Sequence, residues 1–191
     1  MSVFSVEKLP IDGPLLITSE IYQDDRGYLF ESWNYKELME SGIQDNFVQD
    51  KVSVSKKGVL RGLHYQYPHP QAKFVRVLLG EVYDVVVDLR PWSRTFGKWY
   101  GTFLSSSSNN ALYIPGEFAH GFLALTDQVI FLYKTSDYFY PDCDSGIRWD
   151  DNEIGVEWPI NLVGGRITIS DKDRKLQSFE SFRERILKER G

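Results

Sequence analysis

The chain has 191 residues and a formal net charge of −5, and 42% of its residues are hydrophobic and 15% aromatic. This length and composition allow one sizeable core, and we expect a single domain over residues 1–191. The acidic balance argues against a general nucleic-acid-binding protein, and no apolar run is long enough for a membrane helix. We therefore expect neither nucleic acid nor a membrane as a partner, and any anionic ligand requires a local cluster of basic residues.

Hydrophobic periodicity predicts short strands over most of the chain. The segments are rich in β-branched and aromatic residues, and Gly80 separates two of them as in a hairpin. About ten short strands at this spacing are typical of a sandwich or a barrel. The predicted strands cover residues 15–21, 28–33, 49–55, 73–79, 82–88, 99–104, 111–114, 122–125, 129–135 and 167–170.

Two helices are predicted, over residues 35–40 and from about residue 176 to residue 189. The second contains an apolar stripe of Phe179, Phe182, Ile186 and Leu187, which we expect to dock on the barrel rather than bind a partner.

Cys143 is the single cysteine, so an internal disulfide is excluded. The N-terminus lacks the charged and then apolar pattern of a signal peptide. Together these features favour a reducing, cytoplasmic location.

The segment 58–66 has the composition of a buried strand but contains His64 and Arg61. An imidazole can accept or release a proton near neutral pH, and a guanidinium suits an anionic group of a ligand. A single histidine in an apolar strand is more commonly a core residue bonded to the backbone. His64 is therefore a candidate base, with a structural role as the alternative.

Alternation along two further strands places polar groups on the face of their apolar neighbours. Counting by twos, Lys73 lies with Val75, and Tyr133 lies with Phe131. A buried ammonium is tolerated if it is paired or lines a wet pocket, and the pocket is the simpler interpretation in a small barrel. Asp84 also lies on an apolar face, where it can orient a histidine or pair with Lys73.

Several motifs taken together resemble one known family. They begin at segments 25–27 and 30–32, continue through 48–50, 58–66, 80–85, 115–122 and 131–134, and end at 170–173. With these motifs the chain resembles the dTDP-4-dehydrorhamnose 3,5-epimerases, the RmlC-type cupins of nucleotide-sugar biosynthesis. The resemblance implies a mainly β, double-stranded β-helix (jelly-roll or cupin) barrel with a few short helices, the last of them C-terminal, and an isomerase.

The resemblance also implies a metal-free enzyme without a cofactor. Metal-binding cupins typically use a His-x-His pair, a nearby Glu and a distant third His. Here His64 is followed by Tyr65 and Gln66, and His69 lies between two prolines, so the motif is absent.

The family's chemistry assigns a role to four side chains. In a 4-keto sugar the protons on C3 and C5 are α to the carbonyl, so a base can remove either if the enolate is stabilised. The resemblance implies His64 as the base, Asp173 as the carboxylate that holds it, and Tyr133 as the acid on the opposite face. Lys73, with His120, would stabilise the enolate. The structural alternatives are a core phenol for Tyr133, an N-cap of the C-terminal helix for Asp173, and a loop position capped by backbone for His120.

The resemblance further implies that seven positions contact the nucleotide or the diphosphate, and four of these residues are cations. Asn is usual in the family at position 51, Tyr at position 139, where the ring stacks on thymine, and Glu at position 144. With Phe139 the hydroxyl is lost, so base recognition is expected to be looser. The seven are Arg26, Glu31, Gln49, Asp50, Lys51, Arg61 and Lys172, and Lys73, His120, Phe139 and Asp144 complete the expected substrate site.

The sequence thus predicts an enzyme that inverts C3 and C5 of dTDP-4-dehydro-6-deoxy-D-glucose to give dTDP-4-dehydro-β-L-rhamnose for surface polysaccharide. A mono-epimerase acting on C3 or C5 alone, or a non-catalytic sugar-binding cupin, is the alternative. The resemblance also implies a homodimer in which strands around Arg26 cross to the neighbouring subunit.

Overall fold

The computed structural model describes residues 2–190 and consists mainly of two antiparallel β-sheets packed face to face. The strands are β1 (Phe4–Lys8), β2 (Leu15–Ser19), β3 (Tyr22–Asp24), β4 (Gly27–Leu29), β5 (Gln49–Lys56), β6 (Leu60–Gln66), β7 (Lys73–Leu79), β8 (Glu81–Asp88), β9 (Trp99–Ser105), β10 (Asn110–Ile114), β11 (Phe118–Ala124), β12 (Gln128–Thr135) and β13 (Asp144–Gly146). The α-helices are α1 (Tyr35–Glu40), α2 (Asp171–Arg174) and α3 (Phe179–Arg190).

Strand order separates the chain into two walls. The six-stranded sheet has the order β1-β2-β10-β7-β12-β5, and the five-stranded sheet has the order β13-β6-β11-β8-β9. Strands β3 and β4 pair only with each other, as a short hairpin. Any side chain that points inward from β12 therefore faces the wall that contains β6.

The central core lies between the inner faces of the two sheets. Val75 and Phe131 from the six-stranded sheet pack in one buried cluster with Val86 and Phe122 from the five-stranded sheet. These side chains are fully or almost fully buried, as the alternation of their strands requires. The prediction of a mainly β barrel is confirmed.

Helices pack on the outer faces of both sheets. On the five-stranded sheet, Phe179, Phe182 and Ile186 of α3 are buried in a second apolar cluster, whereas Leu187 is exposed. The predicted stripe therefore docks as expected except for Leu187. Leu38 of α1 is buried against the six-stranded sheet. In the described part of the chain, no helix is both long and apolar enough to cross a membrane.

Several element bounds differ from the prediction: β11 begins at Phe118 rather than at residue 122, and the last helix begins at Phe179 rather than at about residue 176. The predicted strand 28–33 is reduced to β4, because its residues belong to an exposed two-stranded ribbon. The predicted strand 167–170 forms only an isolated bridge between Thr168 and Val59. Strand β1 was not predicted, because it is an edge strand whose serine, glutamate and lysine hide the apolar pattern.

Candidate active site

A cavity between the two sheets brings together most of the predicted site residues. Its volume is about 230 Å³, and strands β5, β6, β7, β11, β12 and β13 contribute to its lining. Nine predicted residues line it: Lys51, Arg61, His64, Lys73, His120, Tyr133, Phe139, Asp144 and Lys172.

Two glycines allow β6 and β11 to approach closely enough to form one wall of this cavity. Gly62 has a φ of 123°, and a Cβ built on it would lie 2.5 Å from the Cα of Gly121. A Cβ on Gly121 would lie 2.6 Å from the carbonyl oxygen of Arg61. Because neither position tolerates a side chain, the backbones pack directly and His64 lies opposite His120 in register.

His64 is held by a buried carboxylate. Its Nε2 is 2.8 Å from Oδ1 of Asp173, and the His64 side chain is 34% exposed whereas that of Asp173 is 5% exposed. An ionised carboxylate accepts hydrogen bonds only, so Nε2 carries the proton and Nδ1 is left with its lone pair for a ligand. This is the arrangement of an oriented base.

The surroundings of Asp173 keep its carboxylate ionised. Burial raises its pKa, but hydrogen bonds from His64 and from the Gly62 N–H, at 3.3 Å, outweigh burial and bring the pKa below its usual value. The alternative that Asp173 caps the C-terminal helix is wrong, because Asp173 lies inside α2 and the C-terminal helix α3 begins at Phe179. Ser170 caps α2, accepting from the Asp173 N–H at 3.0 Å, and the Asp173 side chain turns to the histidine.

A second histidine–carboxylate pair lies beside the first. His120 Nε2 is 2.9 Å from Oδ2 of Asp84, so the open question about Asp84 is answered in favour of His120. His120 lies within strand β11, and the loop alternative is therefore wrong. Burial raises the pKa of Asp84, while His120 and Lys73 oppose that rise.

Lys73 is the buried cation of the cavity. Burial lowers the pKa of Lys73 from 10.5 to about 8, although the charges of Asp84 and Asp144 raise it. The ammonium therefore stays charged at neutral pH but releases its proton more readily than an exposed lysine.

Tyr133 lies on the wall opposite His64. It belongs to β12 in the six-stranded sheet, while His64 belongs to β6 in the five-stranded sheet. Burial raises the pKa of Tyr133, and Asp144 adds to that rise although Arg61 opposes it. The phenol is therefore protonated at neutral pH and can act as a hydrogen-bond donor or an acid.

The cavity also contains several positive charges. Arg61 donates from Nε to Ser55 Oγ at 3.1 Å, and Lys172 forms an ion pair with Asp144. Lys51 places its Nζ 4.3 Å from the centroid of the Phe139 ring. Burial lowers the pKa of Lys51, and Asp144 opposes this effect.

Five predicted residues do not line the cavity: Asp173 contacts it only through His64, and the other four lie elsewhere in this chain. Arg26, at the turn of the β3–β4 hairpin, pairs with Asp24, and Glu31 accepts a hydrogen bond from Asn34 at 2.8 Å. Asp50 points to the opposite face of β5 from Lys51 and pairs with Lys134 at 2.9 Å. Gln49 shares the Lys51 face by alternation, and its buried Oε1 has no hydrogen-bond partner among the described residues.

Sequence reasoning missed several residues of the lining. Ser53 could have been found by counting two residues on from Lys51, and within residues 2–190 its buried Oγ has no hydrogen-bond partner. Gln66 and Gln71 flank a proline-containing loop, which gives no signal that their side chains turn inward. The remaining residues that were missed are Tyr65, Gly121, Phe122 and Phe131.

The two histidines that line the cavity each contact one carboxylate. Within residues 2–190, no group of three or more histidine, cysteine, aspartate or glutamate side chains is arranged so that it could hold a metal ion.

An oriented histidine, a phenol on the facing wall and a cation-rich cavity inside a β-barrel define the class of an acid–base enzyme that takes an anionic ligand. The family model described as dTDP-4-dehydrorhamnose 3,5-epimerase matches residues 8–181. The chain belongs to the dTDP-4-dehydrorhamnose 3,5-epimerase family, whose members are isomerases with a cupin-type β fold.

Individual relatives agree with this assignment. The dTDP-4-dehydrorhamnose 3,5-epimerase of Methanothermobacter thermautotrophicus is 48% identical over 174 residues, which are 91% of this chain and 94% of the relative. The RmlC of Legionella pneumophila, solved in complex with dTDP-4-keto-L-rhamnose, is 42% identical with a TM-score of 0.89 over 93% of each chain. ChmJ, a 3'-monoepimerase from Streptomyces bikiniensis solved with dTDP-quinovose, is 30% identical with a TM-score of 0.84, over 93% of this chain and 89% of ChmJ.

Proposed function

We propose that this protein inverts C3 and C5 of dTDP-4-dehydro-6-deoxy-D-glucose and gives dTDP-4-dehydro-β-L-rhamnose. The observation that carries the proposal is the position of the His64–Asp173 pair and of Tyr133 on facing walls of one cavity. Inversion of a carbon requires that a proton leave from one face and return to the other. A base and an acid on opposite walls match this requirement.

In this proposal, His64 is the base that removes the proton. Its Nδ1 would take the proton from the carbon α to the C4 carbonyl, and the electron pair of that bond would move onto the carbonyl oxygen as an enolate. Asp173 stabilises the imidazolium that forms and holds the ring in one tautomer, as carboxylates do in catalytic triads.

The enolate oxygen would be stabilised by Lys73 and His120. Both line the cavity, and both lie near the buried carboxylate of Asp84. A cation in a buried site is already in position before charge develops on the oxygen, so it stabilises the transition state more than the ground state. Tyr133 would then deliver a proton to the opposite face of the carbon.

The nucleotide would be bound by the cations and by one aromatic ring. Lys51, Arg61 and Lys172 can contact the diphosphate, since the net charge of the chain is negative and the positive charge is concentrated here. Phe139 offers a π face to the thymine.

Activity is expected to fall as the pH rises through about 8, the pKa of Lys73. Below this pKa the ammonium is charged and stabilises the enolate, and above it the neutral amine does so poorly. The measurement is kcat against pH, with Lys73→Arg as the matched variant, because a guanidinium stays charged throughout this range. The alkaline decline should move to higher pH in the variant. An unchanged decline would assign it to another group.

The number of inverted carbons is tested by turnover in deuterium oxide. If His64 reaches both carbons, the product should contain deuterium at C3 and at C5, because each proton is lost to a base and regained from an acid that exchanges with solvent. Nuclear magnetic resonance of the product at equilibrium measures both positions. Label at one carbon alone would make the protein a mono-epimerase, the activity named for ChmJ.

We also propose that the protein is a homodimer and that each chain forms one domain over residues 1–191, without a metal or a cofactor. It would act in the cytoplasm on a nucleotide sugar that is used for surface polysaccharide. Support for the dimer comes from the β3–β4 hairpin, which exposes Tyr22, Tyr28 and Leu29. Arg26 and Glu31, near the same hairpin, would then reach the cavity of the neighbouring subunit. The free thiol of Cys143 suits a reducing compartment.

A further inference from the structure

Two glutamines beside the cavity are buried although their side chains are polar. Gln66 ends strand β6 and is 5% exposed, and Gln71 precedes strand β7 and is 8% exposed. A buried amide is costly unless its donors and acceptor are bonded. The partners of these two amides therefore indicate what they hold in place.

The Gln66 side chain bonds the backbone on both sides of Phe139. Its Oε1 accepts from the Tyr140 N–H at 2.9 Å, and its Nε2 donates to the carbonyl oxygen of Tyr138 at 3.1 Å. The same Nε2 donates to the carbonyl oxygen of His69 at 2.8 Å. The amide thus acts as a neighbouring strand would, donating and accepting across one residue.

Gln71 bonds the backbone immediately before Phe139. Its Nε2 donates to the carbonyl oxygen of Asp137 at 2.7 Å and to that of Tyr138 at 2.9 Å. Gln66 and Gln71 therefore share the Tyr138 carbonyl, and we call this pair of side chains the amide clamp.

The Phe139 residue that the clamp holds is 43% exposed, so core packing restrains it weakly. Lys51 lies over its ring at the cavity. Because the backbone of Phe139 is bonded on both sides, the ring is presented at the mouth of the cavity before any ligand arrives. Without the clamp, the segment would have to be ordered during binding, and that cost would reduce affinity.

We propose that Gln66 and Gln71 are positioning residues that hold the Phe139 ring for stacking on the nucleobase of the substrate. This inference rests on the proposed function. It separates base recognition from chemistry, because the clamp acts on Phe139 rather than on His64 or Tyr133.

The experiment replaces each glutamine by methionine, which keeps the size and the neutral charge but removes the hydrogen bonds. Gln66→Met and Gln71→Met are each expected to weaken dTDP binding about tenfold, the effect of one or two lost hydrogen bonds. The kcat at saturating substrate should stay within about threefold of the unmodified protein, so the loss appears in KM. Calorimetry gives the Kd, and melting temperature verifies folding.

Three controls separate positioning from direct contact and from general damage. Gln177→Met removes an amide that donates to the Tyr65 hydroxyl at 2.9 Å, away from Phe139, and should leave the Kd of dTDP unchanged. Pyrophosphate has no nucleobase, and its affinity should be the same in all variants.

In a Phe139→Ala background, Gln66→Met should lower dTDP affinity by less than about twofold, because the two changes act through one ring. If Gln66→Met weakened dTDP binding about tenfold in the Phe139→Ala background as well, the proposal would be overturned, since Gln66 would then contact the ligand itself.

Hydrogen exchange tests the clamp without any substrate. The Tyr140 amide, bonded to Gln66 Oε1, should exchange faster in Gln66→Met than in Gln177→Met. Equal exchange would overturn the clamp, whatever the protein binds. Failure of the unmodified protein to bind dTDP would instead overturn the proposed function and the nucleobase role, and the exchange result would still be informative about the clamp.

Discussion

Replacement of His64 by alanine is expected to lower kcat by about 10²–10⁴-fold, the usual contribution of a general base. The affinity for dTDP should stay within about threefold, because His64 acts on the sugar carbons and the cations bind the diphosphate. Turnover of the 4-keto sugar nucleotide, coupled to a 4-ketoreductase, gives kcat, and calorimetry gives the Kd.

Asp173→Asn provides a graded comparison for this variant. The amide can still accept a hydrogen bond from His64 Nε2, but it has no charge with which to stabilise the imidazolium. We expect a smaller loss of kcat than in His64→Ala, with the same unchanged affinity. If His64→Ala kept most of the activity, His64 would be a structural residue of β6 and the base would have to be sought elsewhere in the cavity.

Tyr133→Phe is expected to lower epimerisation by about 10²–10⁴-fold while proton exchange continues. The phenylalanine ring would keep the packing beside Phe131. The variant lacks only the hydroxyl, which would return the proton from the opposite wall. His64 can still remove a proton and give it back to the same face. Substrate recovered from deuterium oxide should therefore contain label with unchanged configuration.

The matched control for this variant is Tyr35→Phe, which removes the hydroxyl of an exposed tyrosine on helix α1. It should leave both the rate and the labelling unchanged. If Tyr133→Phe lost both deuterium exchange and epimerisation, the assignment of His64 as base and Tyr133 as acid would be contradicted. Tyr133 would then be required for proton removal as well.

Local patterns predicted the walls of the cavity but not its contacts. Lys73 and Tyr133 were correctly placed on the inner face, because side-chain direction in a strand has a period of two and their neighbours are apolar. The same alternation predicts that the Asp84 side chain points inward, but it does not predict which residue Asp84 contacts. That partner, His120, lies 36 residues away on an adjacent strand, and adjacency of strands is not encoded in periodicity.

The motifs of the family also predicted contacts between residues that are far apart in the sequence, which the periodicity of single strands cannot predict. Asp173 is 109 residues from His64, and the two are joined only because α2 follows the bridge of Thr168 to Val59 beside β6. Arg26 was predicted by the same motifs, but in one chain it stays on the exposed hairpin. In the proposed dimer, Arg26 would instead reach the cavity of the neighbouring subunit, which a single chain does not contain.

The sequence by itself therefore determined the class of fold, the inward direction of the strand residues and the family, since alternation and motifs are properties of short segments. Only the tertiary structure decided which nitrogen of His64 is free, which carboxylate meets which histidine, and that Gln66 and Gln71 bond the backbone around Phe139. The physical reason is that a hydrogen bond needs donor and acceptor within about 3 Å and aligned, a condition set by strand order and by close backbone packing at Gly62 and Gly121.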